Sequence, residues 1–226
     1  MARLRLAPSI LTADLARLGD ELAAVSSFID WVHLDVMDGH YVPNITFGPS
    51  LVAAVDRACA LPLHVHLMIS EPGRYVAEFA RAGADRISFH PEVTEDPAEV
   101  IELIKKEGCG PGLAVHPDVE LDAASRYLPE LEVVLMMTVR PGFGGQKFMP
   151  EVLPKIERAR DMVQEAGVSA DIEVDGGVKL STLDETVAAG GEILVAGSAI
   201  FDGVDAVSAA RRLRKRLDEL AGAQAK

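Results

Sequence analysis

Along nearly the whole chain, short apolar runs alternate with longer amphipathic stretches. Apolar runs of this length bounded by turn residues read as buried strands, and apolar positions recurring every three or four residues read as helices. Strands are expected at residues 4–9, 31–36, 63–68, 86–90, 113–115, 132–137, 171–174 and 193–196. Helices are expected after them, at 14–25, from Pro49 onward, at 74–82, 97–107, 121–127, 150–166, 183–189 and 205–221. Punctuation supports the boundaries. Pro49 and Pro97 stand where a helix tolerates proline, at its start, and Gly83, Gly108 and Gly190 stand where a helix ends.

Strands that alternate with helices imply a parallel sheet, and this number of units in a chain of this size is the (β/α)8 TIM-barrel count. An open doubly wound sheet would usually carry a G-x-G-x-x-G turn after an early strand, and none follows the first strand here. The expectation is a single (β/α)8 barrel catalytic domain over residues 1–226, with only residues 221–226 expected to fray.

Charge narrows the partners. The 226 residues carry a formal net charge of −13, which disfavours nucleic acid and anionic membrane surfaces, since both select basic patches. An anionic ligand would therefore depend on local donors rather than on the overall field. Cys59 and Cys109 are the only cysteines; without C-x-x-C spacing they suit a reducing compartment. No signal-peptide pattern and no long apolar span is read, so a cytoplasmic location, no membrane and a homo-oligomer are expected.

In a barrel, chemistry sits where strands end at their C-terminal side. The second strand ends HLDVMDGHYVPN, so His33 and Asp35 lie on one face of it; the third reads LHVHLMI, which puts His64 and His66 on one face. Asp175 ends the seventh strand in IEVDGG. Imidazoles and carboxylates converging on one rim suit a divalent ion such as Zn, Mn, Fe or Co. A lone strand-end histidine is more often structural, and a lone aspartate is as often a helix cap. The H-x-D pair is harder to dismiss, because burying it unpartnered would cost several kcal/mol. By spacing alone His64 and His66 are equal candidates.

Glycines cluster after the sixth, seventh and eighth strands, in VRPGFGGQ, DGGV and AGSAIF. Glycine lets backbone N–H groups approach an anion, and barrels commonly hold phosphate beside strands seven and eight, at the start of a short extra helix. Ser198, Ala199 and Ile200 are the expected short helix. Arg140 and Lys147 flank the first of these loops and read as solvated surface charges. On spacing alone Met37, Met68 and Met137 read as core packing.

The segments APSILTAD, VHLDVMDGHYVPNITFGP, VHLMI, TVRPGFGGQKF, EVDGGV and VAGSAIF resemble, in this order, the motifs of the ribulose-phosphate 3-epimerase family. The resemblance implies a ribulose-phosphate-binding type of barrel that interconverts D-ribulose 5-phosphate and D-xylulose 5-phosphate in the pentose phosphate pathway. It implies metal ligation by His33, Asp35, His66 and Asp175, choosing His66 over His64, with one divalent ion. The implied acid/base pair is Asp35 and Asp175. Implied substrate contacts are Ser9, His66, Gly142, Phe143, Gly144, Gly145, Asp175, Gly176, Gly177, Gly197 and Ser198. Met37, Met68 and Met137 would line the pocket. Three positions depart from the family's pattern: His64 stands where Asp is usual, His116 where Asn is common, and Pro91 where a smaller residue is found.

Three alternatives stay open at this point. An epimerase of a six-carbon ketose phosphate such as D-allulose 6-phosphate would use the same groups. A metal-independent phosphate-barrel lyase would resemble D-x-K-x-x-D, but Met37 occupies the lysine position of LDVMDG. A non-catalytic phosphosugar-binding barrel would be expected to lack one of the two aspartates.

Overall fold

A computed structural model describes residues 4–224. Eight strands form one parallel sheet: β1 (Arg5–Pro8), β2 (Val32–Met37), β3 (Leu63–Met68), β4 (Arg86–Phe89), β5 (Gly110–Val115), β6 (Val133–Met137), β7 (Asp171–Asp175) and β8 (Ile193–Ala196). Each strand from β2 to β8 pairs with its sequence neighbour, and β8 pairs with β1. Between β1 and β2 the Asp30 N–H donates to the Leu6 carbonyl at 2.9 Å, and Ser9 bridges His33 in parallel register. Those contacts close the sheet into a barrel.

The strands are buried on both faces, but the faces differ in chemistry. Val32, Leu34 and Val36 of β2, with Val65 and Leu67 of β3, belong to one large apolar cluster shared with the helices. The intervening side chains, His33, Asp35 and Met37 or His64, His66 and Met68, lie outside that cluster and face the barrel interior. The period of two thus sorts apolar packing outward and polar groups inward. At the opposite end, strand-start residues close the barrel floor. Arg86 donates to Asp171 at 2.8 Å and to Glu132 at 3.1 Å, lies 4.5 Å over the Trp31 ring, and shares Asp171 with Arg5.

The helices are α1 (Leu18–Val25), α2 (Pro49–Ala58), α3 (Pro72–Arg81), α4 (Pro97–Lys106), α5 (Asp122–Ser125), α6 (Leu153–Ala166), α7 (Leu180–Ala189) and α8 (Ala206–Gln224). Local chemistry explains their ends. Asp96 accepts from the Ala98 and Glu99 N–H groups at the start of α4, and Gly167 ends α6 in the left-handed region at φ 65°. No described helix is long and apolar enough to cross a membrane. Cys59 and Cys109 are both free, and burial pushes the Cys109 thiol up to about 11.

Several boundaries differ from the sequence expectation. Helix α1 begins at Leu18 rather than at residue 14, because the chain first makes a 3-10 turn over Ile10–Thr12 to carry Ser9 across the barrel rim. Helix α3 begins at Pro72, with the proline in its first turn. The expected helix over 121–127 is a four-residue helix followed by a 3-10 turn at Leu128–Glu130, and a 3-10 turn at Pro150–Val152 precedes α6. The residues after 221, expected to fray, remain helical to Gln224; positions 225 and 226 lie outside the described residues.

Strand β5 starts at Gly110, three residues before its apolar signal. Glycine and proline there hide the strand from propensity, but the packing requires them small. A Cβ on Gly112 would stand 2.0 Å from the Ser88 Oγ and 2.5 Å from a Val133 methyl. The variant Gly112→Ala is therefore expected to lose about 1–3 kcal/mol of stability, the usual cost of overpacking. Urea unfolding monitored by circular dichroism would measure it, and an unchanged midpoint would contradict the close packing.

Candidate active site

The C-terminal ends of the strands carry the polar groups that the sequence singled out, and the register decides how they meet. Asp35 pairs in register with His66, and His33 with His64, so the four side chains form two layers across β2 and β3. In the upper layer His66 Nδ1 lies 3.3 Å from Asp35 Oδ1 and 3.9 Å from Asp175 Oδ2. His33 leans up from the lower layer, placing Nε2 3.3 Å from Asp35 Oδ1 and 3.8 Å from Asp175 Oδ2. His33, Asp35, His66 and Asp175 each offer a ligand atom within 4.8 Å of the others. His64 does not join them. Its Nδ1 lies 2.7 Å from Glu173 Oε2 and its Nε2 2.7 Å from the Ser88 Oγ, so the tie between His64 and His66 is broken by depth in the barrel.

The electrostatics follow from burial and proximity. Burial favours the neutral form of Asp35, but His33 and His66 outweigh it and hold this carboxyl well below the usual range. Asp175 is pushed up to about 8, first by burial and then by the charge of Asp35. Burial lowers His66 to about 3 against the pull of Asp35. Burial also disfavours the His33 imidazolium, yet Asp35 and Glu173 together raise it. Ser9 donates to Asp35 Oδ2 at 2.5 Å, which aims the other oxygen at the histidines.

This donor set suits a divalent cation. The His33 Nε2 is buried with no hydrogen-bond partner among protein atoms, and the two carboxylates beside it repel one another without a positive charge between them. Two imidazole nitrogens and two carboxylates are the ligand types that Zn, Mn, Fe or Co take.

Above the cluster a cleft of about 140 Å³ opens to solvent. Ser9, Asp35, Met37, Met68, Met137 and Asp175 form its floor and sides. Gly142, Phe143, Gly144 and Gly145 line it from the β6 loop, Gly176 and Gly177 from the β7 loop, and Gly197 and Ser198 from the β8 loop. His33 and His66 are fully buried beneath that lining. Two of the glycine loops are tied to the frame, Gly176 by a 2.6 Å bond from Thr138 and Gly142 by a 3.0 Å bond from Asn44, and the Gly142 loop is braced internally by Gln146 donating to the Phe143 carbonyl at 2.9 Å. The expected short helix at Ser198 is one hydrogen-bonded turn, with the Ile200 and Phe201 N–H groups donating to the Gly197 carbonyl. The turn is not continued into a helix.

Sequence reasoning missed Glu173, Ser88, His90 and Thr12. Glu173 lies two residues before Asp175, and the same parity that paired His33 with Asp35 points to it. Thr12 lines the cleft from a loop, and His90 meets His66 nitrogen to nitrogen at 3.0 Å; neither has a periodic signature. Arg140 pairs with Asp118 on the surface, as expected of a solvated charge. His116 is half-buried outside the cleft lining, accepting from the Asp118 N–H at 3.1 Å, and Pro91 opens the 3-10 turn Pro91–Val93.

A closed parallel barrel with buried carboxylates and imidazoles at the mouth, ringed by glycine loops, defines a barrel enzyme for small anionic substrates. Residues 5–201 match the Ribulose-phosphate 3 epimerase family. Ribulose-phosphate 3-epimerase of Escherichia coli (strain K12) is 44% identical over 219 residues, covering 96% of this chain and 97% of that protein. The protein of the same name from Bacillus subtilis (strain 168) is 46% identical over 213 residues, covering 93% and 98%. The chain belongs to the ribulose-phosphate 3-epimerase family, and thereby to the isomerases. Among solved structures, KGPDC from Streptococcus mutans in complex with D-R5P superposes with a TM-score of 0.77 at 15% identity, covering 96% of this chain and 98% of that one. A 3-hexulose-6-phosphate synthase superposes at 0.72 with 20% identity, covering 94% and 99%. Those two likenesses concern the fold.

Gly177 shows how closely the loops are built. It adopts φ 65°, and a Cβ there would stand 2.6 Å from the Phe148 backbone nitrogen. Gly177→Ala is expected to cost about 1–3 kcal/mol in a left-handed position that also lacks space. Thermal melting should then fall by about 2–4 °C per kcal/mol for a chain of this size; an unshifted melting temperature would refute the close approach.

Proposed function

We propose that this cleft interconverts D-ribulose 5-phosphate and D-xylulose 5-phosphate by exchanging the proton on C3. The observation that carries the reading is the placement of Asp35 and Asp175 together on the floor of one cleft, beside the three glycine loops. Epimerisation next to a ketone needs one group to remove a proton and another to return one on the opposite face of the carbon. In one direction Asp35, held ionised by the neighbouring His33 and His66, accepts the proton, and Asp175 enters protonated, the form that burial and the Asp35 charge favour, and returns one. In the reverse direction the roles exchange.

His33, Asp35, His66 and Asp175 are the residues that would hold one divalent ion. When bound, such an ion supplies Lewis-acid stabilisation of negative charge at the substrate's carbonyl end. Ser9 fixes Asp35 from its outer oxygen and stands at the cleft surface, where its hydroxyl can also meet a sugar oxygen. Backbone N–H groups of the Gly142–145, Gly176–177 and Gly197–Ser198 loops bind the phosphate, which answers the chain's net charge of −13 with local donors. Met37, Met68 and Met137 present polarisable apolar surface to the planar intermediate and offer no competing proton. His66, fully buried, acts on the substrate from below the lining rather than by open contact.

Asp35→Asn and Asp175→Asn are each expected to lower kcat on ribulose 5-phosphate by about 10²–10⁴-fold, the usual contribution of a positioned acid or base. Circular dichroism should show both variants folded, and near wild-type turnover in either would end the two-aspartate scheme. Chelation should likewise remove activity, and Zn, Mn, Fe or Co should restore it; full turnover in a verified metal-free sample would take the ion out of the reaction. Comparing kcat/KM on ribulose 5-phosphate and D-allulose 6-phosphate decides the sugar length, with the pentose expected to be preferred.

A further inference from the structure

Below the cluster of four, a second set of buried polar groups takes no part in the chemistry just described. Glu173, His64 and Ser88 are at most 1% exposed, and His64 lies one inward position below His66 on β3. Their hydrogen bonds run in a single consistent direction. Glu173 Oε1 lies 2.9 Å from His33 Nδ1, and Oε2 lies 2.7 Å from His64 Nδ1. An ionised carboxylate can only accept, so both imidazoles must carry hydrogen on Nδ1. His64 Nε2 is then a bare acceptor, satisfied by the Ser88 hydroxyl at 2.7 Å. Ser88 fits because Gly112 leaves its space open. Every donor and acceptor in the chain Ser88–His64–Glu173–His33 is used except one, the His33 Nε2 that faces Asp35 and Asp175.

We propose that Glu173 is the positioning residue of the metal centre: its Oε1, 2.9 Å from His33 Nδ1, holds that ring in the orientation that turns Nε2 toward Asp35 and Asp175. The proposal rests on the reading of His33 as a metal ligand and adds what makes it one. Glu173 Oε1 makes the shorter of the ring's two carboxylate contacts, 2.9 Å at Nδ1 against 3.3 Å between Nε2 and Asp35 Oδ1. A histidine ligand anchored through its remote nitrogen by a carboxylate is both oriented and made more basic, and losing such an anchor typically weakens metal affinity by about 10–100-fold. His64 has a distinct part. Where an acid would set two carboxyls face to face, this imidazole gives the second oxygen of Glu173 a partner at 2.7 Å.

The test is the affinity of the full-length metal-free protein for Co²⁺, measured by competition with a chromophoric chelator and so independent of turnover. Glu173→Gln, which keeps the shape but replaces the anionic acceptor with a neutral amide, is expected to bind Co²⁺ about 10–100-fold more weakly and to show an altered visible Co²⁺ spectrum. Ser88→Ala removes only the last donor of the chain and should stay near wild type. A purely structural Glu173 would lower the melting temperature of the metal-free protein yet leave affinity and spectrum unchanged, and that result overturns the proposal. Should Glu173→Gln not fold, Glu173→Asp retains the charge but withdraws it from His33 by one methylene; the same loss is expected, and unchanged affinity is equally fatal. A wild-type protein that binds no Co²⁺ would instead overturn the metal reading beneath it.

Discussion

Burying carboxylates inside a barrel is costly unless each is compensated, and that constraint organises this molecule. Asp35 and Glu173 are at most 3% exposed, and Asp175 reaches solvent only at the cleft. An unpaired carboxylate at such depth would protonate or unfold its surroundings. The barrel answers with imidazoles rather than with lysine or arginine: His33 and His66 for Asp35, His33 and His64 for Glu173. Imidazole is uncharged when deprotonated and offers a nitrogen on each side, so one ring can link two layers. His33 does so, with Nδ1 in the lower layer and Nε2 in the upper.

The rest of the architecture serves that stack. Apolar packing between sheet and helices takes the outward strand positions and leaves the inward ones free for polar groups. The arginine-centred closure at the barrel floor, with Arg86 over Trp31 and against Asp171 and Glu132, seals the far end. Small residues on β5 open the volume that Ser88 and His64 occupy. The glycine loops ring the cleft at the mouth. Chemistry is therefore confined to one end, as in barrels generally.

Most of the fold was legible from periodicity, because strands buried on both faces and helices with one apolar face leave different patterns. The misses share a physical cause. Strand β5 was cut short because Gly110, Pro111 and Gly112 have poor strand propensity, although packing there demands small residues. Helices α1 and α3 were misplaced at their first turns, where loop geometry and a proline at the start set the boundary. The segment at Ser198 was expected to be a short helix from the usual phosphate site of barrels, and it forms a single hydrogen-bonded turn.

Local sequence also determined which residue types reach the barrel mouth. An H-x-D on one strand, an H-x-H on the next and an E-x-D on β7 put six polar side chains on inward faces by alternation alone. Alternation cannot say how deep each one lies. That depth depends on strand register and barrel tilt, which pair His33 with His64 and Asp35 with His66 and bring β7 across to meet them. Spacing left His66 and His64 equal and the family resemblance chose His66; the barrel shows the physical difference, His66 beside Asp35 and Asp175 and His64 against Glu173. The sequence supplied the imidazoles and carboxylates and their parity; long-range strand pairing, which no local pattern encodes, decided which of them meet.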